Sequence, residues 1–148
     1  MQARWFSVIA LALLIAGCSG GATPTPTVGP GYLAAATAFD GAYLQWKAAI
    51  TGKTTPGEFA GPAATYAAAL SAFDDAISSL GATGQTATDI TSLVSADKVV
   101  IADLGTVSAQ TAGTFARWGE QLTADGAKAI LAGRVVRTDL ALPQASGQ

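Results

Sequence analysis

Residues 55–80 read TPGEFAGPAATYAAALSAFDDAISSL, and the reading of this stretch decides the fold class. Thr55 and Glu58 have the spacing at which a capping threonine and a glutamate in the first turn satisfy each other's backbone donors. Pro56 falls at the first helical position, where a missing N–H leaves no bond unmade. Behind this start, Phe59, Ala63, Tyr66, Leu70, Phe73, Ile77 and Leu80 recur at alternating steps of four and three. That rhythm places them on one face of a helix. Pro62 lies inside the run and is expected to split off a short first turn. Gly81-Ala82-Thr83-Gly84 closes the segment.

Working outward, the same texture continues on both sides. Tyr32, Ala36, Phe39, Tyr43, Trp46 and Ile50 form an equivalent stripe, ended by Gly52. A third helix is expected to begin near Thr86 or Thr88. Its apolar face carries Ile90, Leu93, Val94, Val100, Ile101, Leu104 and Val107. Thr111-Ala112-Gly113-Thr114 reads as a turn. A fourth helix follows with Phe115, Trp118, Leu122, Ala129, Ile130, Val135 and Val136, and Pro143 limits its end. Strand alternation is not sustained anywhere. The expected fold is all-α: an antiparallel four-helix bundle, up-down-up-down, over residues 32–142, with a disordered tail at 143–148.

Composition narrows the chemistry. The chain of 148 residues has 8 Lys and Arg against 10 Asp and Glu, a net charge of −2. A basic footprint for nucleic acid is missing. Histidine is absent, which removes the commonest general base and metal ligand. The single cysteine, Cys18, permits neither an intrachain disulfide nor a thiolate zinc site. No phosphate loop or catalytic triad motif occurs. Neither a cofactor nor a metal ion is expected.

The N-terminus has a different character. Arg4 precedes an apolar run from Val8 to Ala16, a signal-peptide pattern that falls short of the roughly 20 residues a membrane span requires. Ile15-Ala16-Gly17-Cys18 then resembles the lipobox of bacterial lipoproteins. The resemblance implies a signal peptide at residues 1–17, cleavage before Cys18, and a diacylglyceryl group on the Cys18 thiol. The protein is then expected to face outward from a membrane to which it is held by lipid. Two alternatives are cleavage near Gly20-Gly21-Ala22 by an ordinary signal peptidase, and an uncleaved leader that serves as anchor. Residues 18–31 comprise Cys18 and SGGATPTPTVGPG, where Pro24, Pro26 and Pro30 oppose both helix and strand. They read as a disordered Thr/Pro tether.

Few residues suggest a site. Asp97 and Asp125 fall on the apolar faces of the third and fourth helices. They read either as an acid–base or cation-binding pair, or as structural charges paired with Lys47, Lys98 or Lys128. Tyr32, Tyr43, Trp46, Tyr66 and Trp118 read first as core and second as the lining of an apolar pocket. Gly119, Gly126 and Gly133 form a smooth line along the last helix, read first as tight backbone packing and second as a groove. Val136-Arg137-Thr138-Asp139-Leu140-Ala141-Leu142-Pro143 resembles the ends of small alanine-rich helical secreted proteins of high-GC Gram-positive bacteria. That resemblance implies a helical bundle and no particular activity. The expected function is a non-enzymatic binding module with an envelope protein or cell-wall partner. The alternatives are a carrier of a small apolar ligand in the bundle core and an enzyme using Asp97 and Asp125. A cavity lined by Tyr43, Trp46 and Trp118 would favour the carrier.

Overall fold

The structure, a computed structural model, describes residues 27–145. The expected signal peptide, Cys18 and most of the expected tether lie outside the described residues. Four α-helices account for nearly all of the rest: α1 (Val28–Ile50), α2 (Pro56–Ser78), α3 (Gly84–Gly105) and α4 (Ala112–Asp139). A 3-10 turn at Val107–Ala109 joins the last two. No strand occurs among the described residues.

The capping box that opens α2 is formed. Glu58 accepts from the backbone N–H of Thr55 at 3.1 Å and from its hydroxyl at 2.7 Å. These bonds hold the Glu58 carboxyl below its ordinary range. Contrary to expectation, Pro62 does not split the helix, and α2 runs unbroken through it. The carbonyl that Pro62 leaves without an N–H belongs to Glu58, which is exposed and open to water.

Other boundaries shift for identifiable reasons. The first helix begins at Val28, so Val28–Gly31 belong to α1 and not to an extended tether. Pro30 is accommodated because it sits in the first turn, where N–H groups have no helical acceptor. The third helix starts at Gly84, ahead of Thr86, whose hydroxyl donates to Asp139 of α4 at 2.9 Å. Thr111–Thr114 is the start of α4 rather than a turn. The Thr111 N–H donates to the Thr114 hydroxyl at 3.0 Å, so a second threonine takes the role that glutamate plays in α2. At the other end, Leu142 N–H donates to the Arg137 carbonyl at 2.8 Å and Arg137 Nη1 donates to the Pro143 carbonyl at 2.9 Å. Pro143 and Gln144 are thereby folded back on α4, where a loose tail was expected.

The core is continuous, with Ile77, Leu104 and Val136 at its most enclosed points. The stripes on α1 to α3 face it largely as the spacing requires, whereas Val135 of α4 is 51% exposed. Packing is sequential: α1 lies on α2, α2 on α3, and α3 on α4. Between α1 and α4 there is no comparably extensive backbone contact. Those two helices meet chiefly around Tyr32, which lies under the Arg137 guanidinium and close to Gly133. The remaining space between them is the feature that positions the site.

Candidate binding site

The aromatic residues are not scattered through the core. They form a connected wall on α1 and α2 that continues to the start of α4. Tyr32 meets Phe73 edge-on at 5.9 Å, and Phe73 stacks with Phe39 at 5.2 Å. Phe39 stacks with Tyr66 at 5.6 Å, and Tyr66 with Trp46 at 5.3 Å. Trp46 leans edge-on against Phe59, which touches Trp118. The Trp118 indole N–H donates to the Asp103 carbonyl at 2.8 Å, fixing that ring in the last position of the wall.

Opposite this wall, α4 presents its glycine line. A Cβ placed on Gly119 or Gly126 would meet nothing within 4 Å, and one on Gly133 would make only ordinary contacts with Tyr32 and Leu93. The glycines therefore do not serve close helix packing at Gly119 and Gly126; they leave room. The result is a cleft of about 480 Å³, with Tyr43, Trp46 and Trp118 among its lining residues and all three glycines along one side. Ligand sites commonly occupy about 300–1,000 Å³.

Asp97 also lines the cleft. It is 3% exposed, and its Oδ2 has no hydrogen-bond partner. Its neighbour is not a base but Asp74 of α2, which shares a hydrogen bond with it. Burial, then the charge of Asp74 and the shared bond, push Asp97 up to about 8. Burial pushes Asp74 up to about 6 against the opposing effects of the Asp97 bond and Lys98. Between these values the pair carries one proton and one negative charge.

Asp125 has a different environment. It forms an ion pair with Lys128 at 2.6 Å and accepts from the Gln121 side-chain amide. These partners hold its carboxyl below the ordinary range, while Asp103 beside it is pushed up by burial and by Asp125. Asp97 and Asp125 thus belong to separate carboxylate groupings: Asp125 takes the lysine partner that its spacing offered, and Asp97 does not. No group of three or more His, Cys, Asp or Glu side chains able to hold a metal occurs among the described residues.

Asp74, the partner of Asp97, and Arg137, which lines the cleft, escaped sequence reasoning. Asp74 stands beside Phe73 and one turn beyond Leu70, so its place at the edge of the α2 stripe was a usable signal. Arg137 was not, because its burial depends on the fold-back at Pro143. Comparison with protein-family models, with curated proteins and with solved structures finds no match.

Proposed function

We propose that this chain is a lipid-anchored, extracytoplasmic binding protein whose four helices form an antiparallel up-down-up-down bundle, and whose α1–α4 cleft carries an elongated apolar ligand. The cleft is the observation that carries the reading. A bundle serving only as a spacer or scaffold has no need of an aromatic wall facing a line of glycines across open space. The bundle arrangement is supported by the order of contacts. Along α1 and α2, Tyr32 pairs with Phe73 and Trp46 with Phe59; along α3 and α4, Thr86 meets Asp139 and Trp118 meets Asp103. Both series run in opposite directions.

The lipid anchor rests on Ile15-Ala16-Gly17-Cys18. One acyl chain binds a membrane marginally, but the two of a diacylglyceryl group, at about 0.8 kcal/mol per buried CH₂, hold it stably. No described helix is long and apolar enough to cross a membrane. Metabolic labelling with a fatty acid is expected to mark the wild-type chain and not Cys18→Ser.

Ligand binding has a direct optical readout, because Trp46 and Trp118 both line the cleft. Titrating the full chain with dodecanol is expected to change tryptophan emission saturably. Shorter alcohols are expected to bind progressively more weakly, by about 0.8 kcal/mol per methylene. A flat titration would remove the carrier reading.

A further inference from the structure

The carrier reading leaves the ligand's polar group open, and the polar residues that line the cleft are not evenly spread. Arg134 and Arg137 stand in the last turns of α4, at the Tyr32 end. Trp46 and Trp118 stand at the opposite end, late in α1 and early in α4. Of the two acids, Asp40 is half-buried, about two turns beyond Tyr32 on α1. Asp97 meets the cleft as one half of a hydrogen-bonded pair with Asp74, and its unpaired oxygen is shut off from solvent. The cleft thus has a cationic end and an aromatic end.

Arg137 is the unusual member of this lining, because it is only 8% exposed. Among the described residues it donates to two neutral acceptors, the Pro143 carbonyl at 2.9 Å and the Tyr32 hydroxyl, and forms no ion pair. Its guanidinium also lies over the Tyr32 ring, 5.8 Å from the centroid. These dipoles and this ring face hold the group in place without neutralising it. A buried charge remains costly until an opposite charge pairs with it.

We propose that the cleft takes a long-chain carboxylate in one orientation, its hydrocarbon running along the aromatic wall toward Trp46 and Trp118 and its carboxylate paired with Arg137. This deepens the carrier reading and rests on it. A guanidinium has five N–H donors in a fixed fork, and a carboxylate matches that fork with two oxygens where a hydroxyl offers one. Arg134, three residues before Arg137, is on the same side of α4 and lines the same cleft. It is exposed, so a second positive charge lies where the cationic end meets water. The far end suits the tail, since Trp46, Phe59 and Trp118 meet there ring against ring.

The test compares dodecanoate, dodecanol and dodecylamine at neutral pH, below the concentration at which any of them forms micelles. Binding is read by tryptophan emission of the full chain carrying Trp5→Phe, so that only Trp46 and Trp118 emit. Water holds a carboxylate more firmly than a hydroxyl, so a cleft without a cationic anchor would favour the alcohol. Dodecanoate is instead expected to bind at least about tenfold more tightly than dodecanol. Arg137→Gln is expected to abolish that preference while leaving dodecanol binding within about twofold. Arg117→Gln, on an exposed base outside the cleft, is expected to retain it. Orientation has its own readout: dodecanoate brominated at its terminal carbon should quench the two tryptophans more strongly than dodecanoate brominated beside its carboxylate. Equal or weaker binding of dodecanoate than of dodecanol would overturn the carboxylate proposal and leave the cleft as an apolar site. So would tightest binding of the amine, a folded Arg137→Gln chain that keeps the preference, or the reverse order of quenching. Failure of all three ligands to bind would overturn the carrier reading itself. The ligand comparison and the quenching need no change at Arg137, so a misfolded Arg137→Gln would not rescue the proposal.

Discussion

Asp97 and Asp74 set how the fold responds to pH. Each carboxyl is ordinarily near 3.8 and is raised on folding, Asp97 to about 8 and Asp74 to about 6. The folded chain therefore binds more protons than the unfolded chain across the interval between these values. By linkage, stability declines as pH rises through that interval, and the loss is complete above about 8. Glu58 and Asp125 shift the opposite way, and their contribution is lost only in more acid solution. Thermal melts between about pH 5 and 8 are expected to show a falling midpoint, and Asp97→Asn to flatten the fall, because an amide does not titrate. A wild-type midpoint that rises with pH over this range would contradict the shared-proton pair. The helical spacing of Leu93, Val94, Asp97, Val100 and Ile101 already marked Asp97 as inward-facing. Its partner was not readable, because spacing along one helix does not reveal which residue of another lies opposite.

At the scale of elements, the sequence was most legible where local chemistry alone decides. Thr55, Pro56 and Glu58 announce the start of α2, and the structure has that start and that box. Legibility failed at Pro62, where water compensates the lost bond, at Thr86, where a tertiary contact with Asp139 forms, and at Pro30, whose first-turn position removes the penalty. Two substitutions measure these effects. Thr55→Ala is expected to cost about 1 kcal/mol through loss of the cap. Gly126→Ala is expected to stabilise α4 by up to about 1 kcal/mol, since alanine is the better helix former and a Cβ there meets nothing. Chemical denaturation reads both. A Gly126→Ala variant less stable than wild type would restore the tight-packing reading of the glycine line, which the sequence alone favoured. Glycines seven residues apart look the same whether they admit a neighbouring helix or leave a gap. Only the position of α1 distinguishes the two.

For the whole molecule, sequential packing of α1 on α2, α2 on α3 and α3 on α4 has a consequence. The two end helices approach each other around Tyr32, Gly133 and Arg137 and stand apart along the rest of their length. A filled bundle would close that seam with large side chains from both helices. Here the α1 side is aromatic and α4 places three glycines among its lining residues, so the seam remains a cleft. The most direct measurement is dodecanol binding by Gly126→Phe, with the folded fraction followed in parallel by circular dichroism. The large ring should enter the cleft and leave the fold intact, lowering affinity by at least about tenfold, the equivalent of about 1.4 kcal/mol. A folded Gly126→Phe chain that binds dodecanol as well as the wild type would contradict the account, as would one that unfolds because no space exists for the ring.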